Sequence, residues 1–263
     1  MKKKRGKENM QENKSESGHW YTQDGNSCYT VERADGKGIR GTTLRDAKKL
    51  GLVPSVTTII SVAAKPGLQN WLQQQAILAA LTLPRKENES EEDYLARVLN
   101  DSKAQGREAA DRGTYIHGVL ESFFDGMLLE AVPEYCRNTE RELKVAFGNR
   151  LWISEKSGSH ELGFGGKVDL CANGDKVKGI QPVVVDFKTK ETPLEKVVPY
   201  EDHIMQLAAY RELLGMADAR CAIVFVNGLT NDVKLCEIEE QDLQKGLKCF
   251  FHLLRYYQIK SGL

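Results

Sequence analysis

The string Val183-Val184-Val185-Asp186-Phe187-Lys188-Thr189-Lys190 is an apolar strand that turns charged at its end. On an extended backbone, residues two apart face the same side, so Asp186 and Lys188 point together. A carboxylate beside an ammonium at the mouth of a buried strand suits hydrolysis of a phosphodiester. The carboxylate holds a divalent metal, and the lysine positions or activates water and balances developing charge. Taken alone, an Asp-x-Lys pair is more commonly a surface ion pair. A second carboxylate, Asp169, stands 17 residues earlier in Gly165-Gly166-Lys167-Val168-Asp169-Leu170. If the turn signal Asn173-Gly174-Asp175 joins neighbouring strands, Asp169 and Asp186 come close together. Hard oxygen ligands of this kind select Mg²⁺ or Mn²⁺. Gly165 and Gly166 would permit a bulge or the close approach of a nucleic-acid backbone, or serve as plain hairpin glycines.

Two further groups fall on predicted helices. Gln206-Leu207-Ala208-Ala209-Tyr210 puts an amide and a phenol four apart on one face, where they could reach one phosphate or brace Lys188. Arg112-Gly113-Thr114-Tyr115-Ile116-His117 places His117 four residues from both Gly113 and Glu121. A lone helical histidine is usually structural, but a neutral imidazole is also a competent metal ligand that Glu121 could orient. Glu155 and Glu161, near the strand before Asp169, are secondary candidates for metal or water contacts. Ser55, Thr57, Thr58, Lys65, Arg112, Lys190 and Lys196 could supply phosphate contacts, Lys190 being nearest the predicted site. Trp71 or Tyr115 could stack on a base, although Trp71, at helical spacing with Leu68 and Leu72, reads more readily as core.

The pattern around these residues predicts the elements that position them. His19-Trp20-Tyr21 and Cys28 to Val31 flank the turn signal Asp24-Gly25-Asn26 and predict a hairpin. Pro54 or Ser55 starts one helical turn, Pro66 opens a helix from Leu68 to Leu83, and Pro84 to Ser90 is a polar connection. A helix begins near Glu91, a second runs from about Ser102 to Asp125, and a third covers Glu134 to Arg141. There the period changes from 3.6 to 2: Leu143-Val145-Phe147, Leu151-Ile153, Leu162 to Ala172 and Val183 to Phe187 predict an antiparallel meander with turns at Ser157-Gly158 and Asn173-Gly174-Asp175. A helix from Tyr200 to Leu214 stops at Gly215. Strands over Arg220 to Val226 and Val233 to Ile238 and a closing helix from Glu239 to Ile259 complete an α/β sandwich with a mixed sheet.

Composition sets the outer limits. In 263 residues, 37 Lys+Arg balance 37 Asp+Glu, which excludes a binder held on nucleic acid by bulk charge. Residues 1–17 carry six basic and three acidic residues, reading as a disordered basic tail and leaving the remainder slightly acidic. A catalytic groove here would be cationic only locally and when loaded with metal, so binding should weaken in EDTA and depend shallowly on salt. No apolar run suffices to span a membrane, and no apolar stretch follows the basic start as in a secretory signal. The six cysteines form no Cys-x-x-Cys pair and read as reduced thiols.

Taken in order, Gly113-x-x-x-His117, Gly166-x-x-Asp169, Asp186-x-Lys188 and Gln206-x-x-x-Tyr210 resemble the PD-(D/E)XK nuclease superfamily and, within it, the RecB-type exonuclease branch, over about residue 50 to the C-terminus. Pro54-Ser55-Val56-Thr57, Lys65-x-x-Leu68-x-x-Trp71, His117-x-x-Leu120-Glu121 and Asp186-Phe187-Lys188-Thr189 are most similar to the mitochondrial genome maintenance exonucleases and related phage and bacterial exonucleases. The resemblance implies a restriction-endonuclease-like three-layer sandwich, a mixed central β-sheet flanked by helices, with an N-terminal hairpin and helical extension. It implies that His117, Asp169, Asp186 and the backbone carbonyl of Phe187 bind Mg²⁺ or Mn²⁺, that Lys188 is the catalytic lysine, and that Gln206 and Tyr210 line the site. Val168 stands where the name-giving pattern has proline. Cys221, Cys236 and Cys249 are too dispersed for the iron–sulfur cluster some relatives carry, so none is expected.

The division expected is a tail over 1–17, a substrate-contacting extension over 18–100 and a nuclease core over 101–263. The expected activity is a metal-dependent DNA exonuclease acting on single strands or duplex ends, in recombination, repair or phage DNA processing. The expected setting is bacterial or phage-encoded and cytoplasmic, with DNA and a recombinase or single-strand-binding protein as partners and no membrane. The alternatives are an endonuclease of restriction or nicking type and a non-catalytic DNA-end-binding module.

Overall fold

The computed structural model describes residues 19–127 and 130–263; the tail expected over residues 1–17 lies outside the described residues. The first half holds β1 (Trp20–Tyr21), β2 (Thr30–Glu32), β3 (Ile39–Gly41), α1 (Leu44–Leu50), β4 (Val53–Pro54), α2 (Val56–Ile60), α3 (Pro66–Thr82), α4 (Glu91–Ser102), α5 (Ala104–Phe124) and α6 (Glu134–Phe147). The second holds β5 (Trp152–His160), β6 (Phe164–Ala172), β7 (Val183–Thr189), α7 (Glu201–Leu213), β8 (Arg220–Val226), β9 (Val233–Ile238) and α8 (Glu240–Ser261).

Strands β5 to β9 form one sheet in chain order. All neighbours are antiparallel except β7 and β8, which run parallel because α7 carries the chain back across one face. Helices α2, α7 and α8 cover that face, and α5 and α6 the other. The alternation of β7 divides its side chains between the layers. Val184 joins the cluster around Leu207 and Phe250, while Val183, Val185 and Phe187 join the cluster around Leu120 and Leu143. On β8 every residue from Cys221 to Val226 is fully buried. That is why this segment reads as a continuous apolar run instead of an alternating one. The result is the expected mixed sheet between two helical layers.

Helix ends follow local chemistry. Ser55 Oγ accepts from the Thr58 amide 3.0 Å away and starts α2. Pro66 occupies the first position of α3, and Gly215, at φ +63°, follows the last turn of α7.

Four expectations are corrected. Helix α6 runs on to Phe147: Leu143 and Phe147, four apart, are buried, while Val145 between them is 79% exposed, so spacing of two disguised spacing of four. Ser157-Gly158 lies inside β5, and the chain turns instead at residues 161–163. The backbone of Gly158 instead fixes a residue elsewhere: a Cβ at Gly25 would lie 2.6 Å from the Gly158 Cα. At the N-terminus the Asp24-Gly25-Asn26 turn closes a short hairpin, with a Tyr21↔Ser27 bridge and Thr22 N–H to Asn26 O and Cys28 N–H to Trp20 O both at 2.8 Å, but the hairpin does not extend to Val31. The ladders are β1 with β4 and β2 with β3. Finally, Leu68, Trp71 and Leu72 on α3 all remain more than a third exposed, so Trp71 is not core. Among the described residues, no helix is long and apolar enough to cross a membrane.

Candidate active site

Asp186 and Lys188 share one side of β7, at the end where the apolar run stops. The Lys188 Nζ lies 2.5 Å from Asp186 Oδ2, and the Asp186 side chain is only 1% exposed. Asp169 comes from the neighbouring β6, where its Oδ2 accepts from the Phe187 backbone N–H at 2.7 Å. The backbone between the two catalytic candidates on β7 thus anchors the third.

Helix α7 closes the group from above. Gln206 Nε2 donates to Asp186 Oδ1 at 2.8 Å, and its Oε1 accepts from Lys188 at 3.1 Å. One amide therefore holds both partners of the ion pair. Tyr210, one turn on, lies with its hydroxyl 3.1 Å from Gln206 Nε2. Gly166 makes this possible, since a Cβ there would sit 2.8 Å from Tyr210 Cε1. Gly165 likewise clears space for Tyr21, whose Cβ would be 2.7 Å away. Neither glycine marks an inserted bulge residue, because β5 and β6 keep one constant register past them.

Helix α5 brings His117 from the opposite layer, with its Nδ1 3.5 Å from Asp169 Oδ2 and its ring edge-on to Phe187. Asp169, not Glu121, is the carboxylate that faces it. Gly113 is where α5 passes over Thr189, whose Oγ1 would stand 3.0 Å from an added Cβ.

Electrostatics separates the two aspartates. Burial pushes Asp186 up to about 6, and the nearby Asp169 charge adds to this against the pull of Lys188. Burial also acts on Asp169, but His117, Lys188 and the Phe187 amide together hold it below the usual carboxylate range. For Lys188 burial favours the neutral amine, yet the two carboxylates outweigh it and the ammonium is stabilised. His117 is raised for the same reason: the Asp169 contact overcomes burial. At neutral pH the group carries a charged lysine beside two crowded anions.

These residues border a cavity of about 560 Å³ that Asp169, His117, Glu121, Glu155, Thr57 and Tyr210 help to line. Glu155 stands opposite Asp169, between the Ser154↔Leu170 and Lys156↔Val168 pairs, with a left-handed φ of +50° and an ion pair to Lys167. Such a conformation is rare for a residue with a side chain, and it turns the carboxylate toward the cavity. Glu161 lies in the β5–β6 turn and does not line it. Ser55 lines the cavity, but its hydroxyl is engaged in capping α2. Lys65 pairs with Asp202 at 2.8 Å. Arg112 pairs with Glu191 at 2.5 Å and, with Lys190, lines a second, adjoining cavity. His19, Tyr21, Tyr29 and Lys167 also wall the first cavity. His19 stacks on Tyr29 with centroids 4.7 Å apart, and the Tyr21 and Tyr29 hydroxyls lie 2.5 Å apart. Sequence reading missed this wall because long-range packing brings β1 to the site, through its pairing with β4 and the seating of Tyr21 on Gly165.

The comparisons with known proteins now bear on the assignment. The family model described as the PD-(D/E)XK nuclease superfamily matches residues 76–248. The chain belongs to this superfamily. No curated protein matches it by sequence. Similar solved structures include an alkaline exonuclease, LHK-Exo, from Laribacter hongkongensis, 14% identical with TM-score 0.34 over 74% of this chain and 98% of that one. A protein named SSO0001 is 16% identical with TM-score 0.31, covering 71% of this chain and 86% of its own. A Eubacterium rectale protein named for an inferred exonuclease activity is 14% identical with TM-score 0.38, over 57% and 68% respectively.

PD-(D/E)XK nucleases use divalent metal ions, and the donors of this nuclease suit one. Asp186 Oδ2 is buried, and no donor reaches it with hydrogen-bonding geometry despite the nearby ammonium. The Lys188 ion pair is its one close partner, which leaves acceptor capacity for an ion in a place where unused capacity is costly. Among the described residues, no three His, Cys, Asp or Glu side chains are grouped tightly enough to hold an ion alone. A hard ion held by two carboxylates therefore needs further oxygens, from the Phe187 carbonyl, water or a substrate phosphate, which is the usual manner of Mg²⁺.

Proposed function

We propose that this nuclease is a metal-dependent DNA exonuclease of the RecB type, acting on single strands or duplex ends and serving recombination, repair or phage DNA processing. One observation carries the reading: Asp186, Lys188, Gln206 and Tyr210 are joined by direct contacts, Asp169 is tied to them through the Phe187 amide, and Asp169 and Tyr210 line a cavity large enough for a nucleotide. Residues 101–263 supply the chemistry, and residues 18–100 supply contacts to the substrate.

Asp169 and Asp186, with the Phe187 carbonyl and His117, would hold Mg²⁺ or Mn²⁺, which when bound polarises the scissile phosphate and lowers the pKa of its water. Lys188 is charged in the resting site, so it does not begin as a base. Its ammonium donates to water or to the phosphate and offsets the negative charge that develops there. Gln206 fixes where that ammonium points, and Tyr210 fixes Gln206. Thr57 and Lys190 contact the sugar-phosphate chain on either side.

The test uses end-labelled linear and circular single-stranded DNA, duplex DNA and RNA, with Mg²⁺, Mn²⁺ or EDTA. The expected result is a product ladder from linear DNA with metal, intact circles, and no turnover in EDTA. Lys188→Ala and Asp186→Ala proteins should fold and not cleave. Full activity in either variant or in EDTA overturns the mechanism, and cut circles would identify an endonuclease.

A further inference from the structure

The second cavity, also about 560 Å³, is floored by the segment after β7 and the β8–β9 connection, with Trp71 of α3 and Tyr115 of α5 in its walls. It shares Thr189 and Ala109 with the catalytic cavity, and Thr189 directly follows Lys188. Its floor is also the carboxyl end of the parallel pair β7 and β8, the place where open α/β sheets receive ligands.

The lining is unlike that of the catalytic cavity. Tyr115 is 68% exposed, and Trp71, resting 3.7 Å from where a Cβ of Gly106 would be, is 38% exposed. By contrast, Trp20 is fully buried in a small core of its own. Two large aromatic faces are thus left open to one pocket. At its edge the Arg112 guanidinium and Glu191 carboxylate hold each other at 2.5 Å, presenting a donor and an acceptor side by side. Apolar faces with a paired donor–acceptor edge match the chemistry of a nucleobase: a flat ring with polar groups along one side.

We propose that this cavity is a nucleobase pocket, in which the base of the nucleotide adjoining the scissile phosphate lies against Trp71 and Tyr115 with its polar edge toward Arg112 and Glu191. The proposal rests on the nuclease reading above and names its substrate class. A base can enter only when unpaired, so the preferred substrate is single-stranded or frayed DNA, and duplex must open first. Stacking tolerates every base, so the chain can move through one nucleotide at a time. The Glu191 acceptor favours bases with an exocyclic amino group over thymine at this one position.

The experiment scans a single abasic site along an end-labelled single strand and measures kcat/KM at each bond for the parent, Trp71→Ala, Tyr115→Ala and Trp71→Phe proteins. At one fixed offset from the cut bond, the lesion should slow the parent about ten-fold or more. The two alanine variants should cut the intact strand at that reduced rate and no longer respond to the lesion, while Trp71→Phe stays close to the parent. In parallel, 2-aminopurine at the same offset should be quenched on binding to Lys188→Ala protein and not when Trp71→Ala is added. If the parent cleaves normally but no offset is sensitive, or both alanine variants keep the parental rate on intact strands, the pocket assignment is wrong and the nuclease reading survives. If the parent cleaves no nucleic acid with Mg²⁺ or Mn²⁺, both fall.

Discussion

Gly166→Ala is the smallest change that should disturb the site without touching a charged residue. The new methyl would stand 2.8 Å from Tyr210 Cε1 and 3.2 Å from Leu213 Cδ2, well inside contact distance. Tyr210 is buried and its hydroxyl contacts Gln206, so the ring cannot retreat without loosening the amide that holds Asp186 and Lys188. Overpacking of this kind costs about 1–3 kcal/mol. At about 2–4 °C per kcal/mol for a chain of this size, Tm should fall by about 2–12 °C. Activity should fall further than stability does at assay temperature, through a lower kcat. A double-mutant cycle isolates the cause. In a Tyr210→Leu background the methyl meets only Leu213, and its cost should drop below about 1 kcal/mol, leaving a coupling of about 1–2 kcal/mol. Urea unfolding of the four proteins gives the number. Additive effects, or a Gly166→Ala protein as stable and active as the parent, would refute the account.

Asp186→Asn should lose cleavage while its Tm in EDTA stays close to the parent's, because relief of the crowding with Asp169 offsets the loss of the Lys188 ion pair; a large fall in Tm would contradict this. His203 is pushed down to about 4, chiefly by burial and then by the Lys188 charge, so it folds neutral. The unfolded chain takes up a proton near its ordinary pKa of about 6.5, so stability should decline as pH falls from there to about 4 and level off below. His203→Asn should flatten that part of a Tm-against-pH curve. Glu240→Ala leaves the buried Arg211 without the carboxylate that binds both its nitrogens, at 2.6 and 3.0 Å, and should cost about 1–3 kcal/mol in urea unfolding. Glu240→Gln should recover part of the loss.

What could be read from the sequence depended on whether the cause was local. Strands β8 and β9 appear where the pattern puts them, since a doubly buried strand must be apolar throughout and the outer strand beside it keeps Val233 and Leu235 for one layer and Cys236 and Ile238 for the other. Asp186 and Lys188 are adjacent because period-two geometry leaves no choice. Helix α6 was misread at its last turn because Leu143 and Phe147 satisfy both periods. Gly25 and Gly166 read as turn or approach glycines, while the groups that crowd them, the Gly158 backbone and the Tyr210 ring, lie 133 and 44 residues away. The aromatic wall of His19, Tyr21 and Tyr29 left no chemical pattern at all. The pairing of β1 with β4, the bridge from Ser55 to Gly165 and the packing of Tyr21 on Gly165 carry it to the cavity.

That same pairing has a consequence for the order in which the protein is made. The cavity's outer wall comes from the earliest described residues and its floor from Asp169 and Tyr210, so no completed pocket exists until the ribosome has passed α7. Chains are synthesised from the amino end at about 5–20 residues per second. A nascent chain therefore carries the wall for about 9–36 s before it has a floor. A chain cut short anywhere before α7 is left with the wall and without the amide that holds the Asp186–Lys188 pair.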